Sequence, residues 1–339
     1  MAKYDVYGLG NALVDIECEV ETAVLQELGI EKGVMTLLDE DSQNKILAHF
    51  EGKPLKRSCG GSAANTVIAV KQFGGNAFYS CKVANDETGQ FYAKDLNDCG
   101  VETNLALHEP EVGISGKCLV FITPDADRTM NTFLGISSEF SEAQLVPEAI
   151  ADSQYTYIEG YLVTGESSRA AAVKARELAQ AANQRVAFTL SDPNMVKFFK
   201  EGLLEIIGPG VDLLFANESE AKLMADTESL DEAIEYLKTL SKCLAITLGA
   251  EGSIIFDGNN RIKIDPVPTT AVDTVGAGDI YAGGVLYAVT HGMGFFDGGR
   301  LGSLASSRLV ANVGPRLTTP EMEDFIAWNE FSDVGARVE

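Results

Sequence analysis

Asp273-Thr274-Val275-Gly276-Ala277-Gly278-Asp279 runs directly into the apolar stretch Ile280-Tyr281-Ala282-Gly283-Gly284-Val285-Leu286. Three small residues in a row let backbone approach a ligand closely, and the apolar run after them reads as the start of a helix. First-turn N–H groups of a helix lack internal partners and carry a partial positive charge, so the segment suits a phosphoryl group. Asp279, in that first turn, would stand beside the anion and accept a proton from an attacking hydroxyl. The same residues also read as an ordinary acidic helix start with glycines for tight packing, and spacing alone does not separate the two.

Three upstream segments carry similar chemistry. Cys59-Gly60-Gly61-Ser62-Ala63-Ala64-Asn65-Thr66 places paired glycines before the helical run Val67–Val70. Its amides and Asn65 can meet a polar ligand, although a glycine turn with a Ser N-cap explains the same string. Asn217-Glu218-Ser219-Glu220 ends the apolar run Asp212–Ala216. At the C-terminal end of a parallel strand, such a carboxylate and amide face the ligand crevice, and Glu220 could hold Mg²⁺ through water. A solvated helix start is the plainer reading. Thr247-Leu248-Gly249-Ala250-Glu251-Gly252 is a strand and glycine turn, suited to nucleotide contacts or simply to a hairpin into Ser253–Asp257.

The rest of the chain sets the architecture. Strand-like runs (Val6–Leu9, Ala77–Val83, Tyr155–Ile158, Val186–Leu190, Asp212–Phe215, Cys243–Leu248) alternate with helical patterns (Ser62–Phe73, Glu87–Asp98, Ser167–Asn183). Near-continuous apolar strands between helices predict an α/β fold with a mostly parallel sheet covered on both faces. Leu13–Leu37 and Lys117–Leu134 break that rhythm, because they contain short or strictly alternating runs such as Val14–Val20. They are expected to pair into a small accessory sheet or lid, discontinuous in sequence and spanning about 12–38 and 104–135 within a single domain of residues 1–339.

Composition excludes several function classes. With 50 Asp+Glu against 26 Lys+Arg, the net charge of −24 argues against nucleic-acid and anionic-membrane partners. The opening residues lack a signal-peptide core, and the longest apolar stretch, Ile280–Val289, is too short to span a bilayer. Six cysteines without metal-ligand spacing point to free thiols in a reducing cytoplasm. His49, His108 and His291 are isolated, and no G-x-x-x-x-G-K-[ST] loop exists. Gly8-Leu9-Gly10-Asn11-Ala12-Leu13 has Leu where the dinucleotide fingerprint needs a small residue.

Taken together and in order, these segments resemble the ribokinase-like (phosphofructokinase-B) family of sugar and nucleoside kinases, over roughly Tyr4 to Arg316. Within it, Gly8–Ile16, Gly60-Gly61-Ser62, Asp127–Thr132 and Ile158-Glu159-Gly160-Tyr161-Leu162 are similar to adenosine kinases. The resemblance implies a ribokinase-like three-layer sandwich with a β-sheet lid. It also implies ATP-dependent transfer of the γ-phosphoryl group to a primary hydroxyl, the 5′-hydroxyl of a purine nucleoside such as adenosine. Asp279 would be the base, and Gly276, Ala277 and Gly278 the anion hole. Asp15 would accept from the ribose hydroxyls, helped by Asn11, Gly60, Gly61 and Asn65. Arg128 would approach the phosphates from the lid. Asn217 and Glu220 would organise Mg²⁺, with Thr247, Gly249, Gly252 and Asn312 around ATP.

Leu13, Met35, Phe133, Tyr161 and Leu162 are candidates for an apolar wall against a base, and equally for plain core. Ser191-Asp192-Pro193-Asn194 receives no role. A monovalent cation near Asp273 and Val275 has no support in the residues themselves, and the oligomer remains monomer or lid-mediated homodimer. Two alternatives stay open: a kinase of a free sugar or sugar acid, of fructokinase or ketodeoxygluconate-kinase type, and a non-catalytic nucleoside- or nucleotide-binding regulator on the same fold.

Overall fold

The computed structural model describes residues 2–33, 35–53, 55–107, 111–124, 128–323 and 325, and for Arg128 only the strand it opens. Among the described residues, fourteen strands form two sheets. In chain order they are β1 (Tyr4–Leu9), β2 (Leu13–Glu19), β3 (Met35–Leu37), β4 (Lys56–Gly60), β5 (Ala77–Ser80), β6 (Glu102–Thr103) and β7 (Ser115–Ile122). There follow β8 (Arg128–Gly135), β9 (Ser153–Glu159), β10 (Arg185–Thr189), β11 (Val211–Asn217), β12 (Ser241–Thr247), β13 (Ser253–Phe256) and β14 (Arg261–Ile264).

The main sheet has the order β14-β13-β12-β11-β10-β9-β1-β5-β6. From β12 to β6 every pairing is parallel; β13 and β14 add an antiparallel edge. β1 shows why it is covered on both faces. Val6 packs with Val67, Ile68 and Val285 in one core, while Tyr7 and Leu9 pack with Ile158, Ala172 and Phe188 in the other. Helices Ser62–Gln72, Glu87–Asp98 and Ala277–Thr290 lie over the first face, and Glu166–Ala181 and Pro193–Ile207 over the second. This is the three-layer α/β arrangement expected from the sequence. Gly283 and Gly284 inside the apolar run serve packing: a Cβ on Gly283 would lie 2.6 Å from Ala69 Cβ, and one on Gly284 2.9 Å from Gly302 Cα.

The second sheet has the order β3-β8-β7-β2-β4 and stands at one end of the main layers. Strands from both segments expected to form the accessory sheet are in it. β4 joins as well, although Lys56-Arg57-Ser58-Cys59-Gly60 lies outside both predicted segments. Alternation along β2 places Val14, Ile16 and Cys18 against Leu25, Ile46 and Phe50, leaving Leu13 and Asp15 on the other face. The six cysteines are free thiols. Among the described residues no helix is long and apolar enough to cross a membrane.

Candidate active site

A cavity of about 600 Å³ lies between the small sheet and the C-terminal ends of the central strands. Such strand ends are where open α/β sheets hold ligands, because the following loops are free to diverge there. The small sheet supplies an apolar wall through Leu13, Met35, Leu37, Met130 and Leu134, with Asp15 among them. Met130, Thr132 and Leu134 are two residues apart on β8 and share the cavity face; Phe133, between them, points away. Phe133 therefore lies outside the wall to which the sequence reading assigned it.

The helix Ala277–Thr290 begins at this cavity. Gly276 is its N-cap with φ +77°, where a Cβ would also lie 2.1 Å from the Pro315 carbonyl oxygen, so only glycine fits. Of the first-turn amides, that of Ala277 donates to the Thr274 carbonyl at 3.3 Å. Those of Gly278 and Asp279 have no acceptor among the described residues. A Cβ on Gly278 would meet nothing within 4 Å, and both residues line the cavity, so this helix start opens onto it. The glycine-rich segment thus provides a recess with two free donors. Ala277, the first helical residue, offers no free amide.

Asp279 borders the recess, half-buried on the cavity wall. Ser62 Oγ donates to its Oδ1 at 2.6 Å, and Asn65 Nδ2 to its Oδ2 at 2.9 Å. Desolvation pushes the carboxyl up to about 6, against those two hydrogen bonds, which favour the charged form. A carboxylate poised there ionises near neutrality and remains basic enough to accept a hydroxyl proton. The grip comes from one helical face, since Ser62 and Asn65 are three residues apart. Gly61, not Ser62, is the N-cap of that helix, with φ +99° and no room for a Cβ beside the Asn11 carbonyl.

Asn11, Asp15, Gly61, Asn65, Leu13, Met35 and Tyr161 from the predicted substrate set all line the cavity. Gly60 sits just behind: a Cβ there would lie 2.4 Å from Asp15 Oδ2, so its absence makes room for that carboxylate. Leu162 is fully buried in the core and does not reach the cavity. Asn217, Glu220 and Thr247 line it at the ends of β11 and β12, and a shallower groove of about 660 Å³ continues from Asn217 and Thr247 past Lys222 to Gly249. Gly252 and Asn312 line neither. A Cβ on Gly252 would lie 2.2 Å from the Ile264 carbonyl oxygen, and Asn312 Nδ2 donates to the Arg308 carbonyl at 2.8 Å. The Arg128 side chain falls outside the described residues.

Glu220 is buried in a reciprocal cap, with Asn217 N–H donating to its Oε2 at 2.9 Å and Asn217 Nδ2 to its Oε1 at 2.7 Å. Burial pushes its carboxyl up to about 7, and the charge of Asp192 adds to this. Among the described residues no Lys or Arg lines the main cavity, whereas Asp15, Glu159, Asp192, Glu220 and Asp279 do. A polyphosphate entering this acidic space needs a cation with it. No cluster of three or more metal-ligating side chains occurs among the described residues. The donor set therefore fits a Mg²⁺ held mostly through water and phosphate oxygens, as that hard ion favours, and not a dedicated protein cage. Asp273 is committed to its loop, accepting from Val275 N–H at 3.1 Å and Gly314 N–H at 2.7 Å.

Sequence reasoning missed several contributors, among them Leu37, Met130 and Leu134 of the apolar wall. Ser62 was readable from its three-residue spacing to Asn65. Glu159, fully buried with its carboxyl pushed up to about 7 by burial, was readable as a charge ending the apolar run Tyr155–Ile158. Ser191, Asp192 and Pro193 form the far wall; Ser191 has φ +70°, a conformation its residue type does not announce.

Comparison with known proteins agrees with this geometry. A profile of the pfkB family carbohydrate kinases matches residues 36–322. The crystal structure of adenosine kinase from Sinorhizobium meliloti superposes with a TM-score of 0.88 at 35% identity, covering 98% of this chain and 100% of that one. A probable sugar kinase from Rhizobium etli gives 0.88 at 31% identity, covering 97% and 99%. Adenosine kinase 1 of Arabidopsis thaliana is 26% identical over 94% of this chain and 96% of its own length.

Proposed function

Because the chain belongs to the pfkB family of carbohydrate kinases, and so is a phosphotransferase with a hydroxyl acceptor, we propose that it transfers the γ-phosphoryl group of ATP to the 5′-hydroxyl of a purine nucleoside, adenosine first among them. The observation that carries the reading is one cavity holding both Asp279 beside free helix-start amides and a five-residue apolar wall from the small sheet. A purine base, flat and apolar on both faces, fills such a wall, whereas a free sugar offers it only small C–H patches between hydroxyls.

Asp279 accepts the proton of the acceptor hydroxyl as that oxygen attacks, while Ser62 and Asn65 fix the carboxylate. The amides of Gly278 and Asp279 donate to the transferring group, where negative charge is greatest. Asp15 and Asn11 bind the sugar hydroxyls, with Asn65 within reach from the helix. Asn217 and Glu220 would hold a Mg²⁺ and the phosphates through water, and the groove past Thr247 and Gly249 would receive the rest of the nucleotide. Bound Mg²⁺ neutralises the polyphosphate and orients its oxygens. Arg128, which opens β8, is assigned to the phosphates on the resemblance alone.

A sugar acceptor is the second reading, since Asn11, Asp15 and Asn65 offer the donors and acceptors any polyol uses, and a 31%-identical protein is described as a probable sugar kinase. Asp279→Asn tests the assigned base. It keeps the shape of the site and should bind both substrates, yet lose about a thousandfold in kcat. Unchanged kcat would show that another group takes the proton.

A further inference from the structure

Glu159 ends β9 fully buried, and its carboxylate joins segments far apart in the chain. Oε1 accepts from Asn11 N–H at 2.6 Å and Oε2 from Ala63 N–H at 2.9 Å. Asn11 lies where the chain leaves β1 of the main sheet for β2 of the small one. Ala63 lies just after it returns from β4. The return from β8 meets the same point: Ser137 Oγ accepts from Ala12 N–H at 2.9 Å and donates to Asn11 Oδ1 at 3.4 Å. The seat is cut to the carboxylate, since a Cβ on Gly10 would lie 2.3 Å from Oε2. Ala63 also sits between Ser62 and Asn65, the two residues that grip Asp279.

A buried carboxylate is costly, and packing alone does not require one. Its distinctive property here is that both oxygens accept at once; an amide would turn a donor toward one of the two N–H groups. We propose that Glu159 is a positioning residue, clasping the crossings at Asn11 and Ala63 so that the acceptor-binding residues of the small sheet and the Ser62–Asn65 grip on Asp279 keep one fixed relation. The proposal rests on the kinase reading above.

The test uses the full chain with Glu159→Gln and Ser137→Ala, measuring KM for the acceptor and for ATP separately, kcat, and the unfolding midpoint. In Glu159→Gln the acceptor KM rises about tenfold or more and kcat falls, because misplacement of reacting groups by even 1 Å is severe. The KM for ATP stays within about twofold, a split that general loss of stability would not give. Ser137→Ala moves the acceptor KM the same way by about threefold. A folded Glu159→Gln with unchanged acceptor KM, or with both KM values raised equally, overturns the clasp. If Glu159→Gln does not fold, Ser137→Ala decides, and an unchanged acceptor KM overturns it. Wild-type protein inactive on every nucleoside and sugar refutes the kinase reading and the clasp together; active wild type with unaffected variants refutes the clasp alone.

Discussion

Gly276 and Gly278 stand two residues apart in one motif, yet substitution by alanine should separate fold from chemistry. At Gly278 a Cβ meets nothing within 4 Å, and the backbone is helical. Alanine there costs no contact and restricts the unfolded chain, so stability should hold or rise by up to about 1 kcal/mol. The methyl group would, however, occupy the recess before the free amides of Gly278 and Asp279. Pushing the transferring group away from such donors costs on the order of 10²-fold in rate, about 2.7 kcal/mol. At Gly276 alanine must adopt φ +77° and lies 2.1 Å from the Pro315 carbonyl oxygen. The left-handed backbone alone costs about 1–2 kcal/mol, and relieving the overlap adds a similar amount. Denaturant unfolding beside steady-state kinetics distinguishes the two: Gly278→Ala is as stable as wild type but about a hundredfold slower in kcat/KM for ATP, and Gly276→Ala is unstable. A Gly278→Ala protein with wild-type kcat/KM would refute the placement of the phosphoryl group in this recess.

Two pH effects accompany it. Asp279 works as a base only when ionised, and its carboxyl is pushed up to about 6, so kcat/KM should fall about tenfold per pH unit below that value; a profile flat to pH 5 would contradict the assignment. Glu220 is held near 7 when folded against 4.5 in a free chain. Between those values the folded protein retains a proton that the unfolded chain has released, so stability falls as pH rises from 4.5 to 7 and levels off above. Relative to Glu220→Gln, which cannot titrate, the Mg²⁺-free wild type should lose on the order of 3 kcal/mol across that window. Parallel stability curves for the two proteins would show that Glu220 is not strained by its burial.

The central layers were legible because six main-sheet strands, β1, β5, β9, β10, β11 and β12, are short apolar runs between helical patterns, whereas the edge strands β6 (Glu102–Thr103) and β14 (Arg261–Ile264) carry no such run; Glu87–Asp98 even matches its helix residue for residue. The small sheet was half legible. Alternation marked β2, but β4 is polar, and its place beside β2 is set by tertiary pairing that no local pattern encodes. Phe133 shows the limit of listing apolar residues without their phase: in β8 the cavity face belongs to Met130, Thr132 and Leu134. The Asn217-x-x-Glu220 spacing is a capping box, readable as such, but only the fold shows that the cap is buried against Asp192 and the cavity. The acidity of the chain also gains meaning. In a cavity lined by five carboxylates and, among the described residues, no Lys or Arg, the phosphates of the proposed nucleotide would rely on backbone amides and a metal.

The central claim, phosphoryl transfer to a nucleoside hydroxyl, is tested most directly by supplying the purified protein with ATP and Mg²⁺. Phosphorylated product is then measured on adenosine, inosine, guanosine, ribose, fructose and ketodeoxygluconate side by side. The account predicts the highest kcat/KM on adenosine, with the 5′-monophosphate as product. Turnover of a free sugar or sugar acid with none on any nucleoside would contradict it.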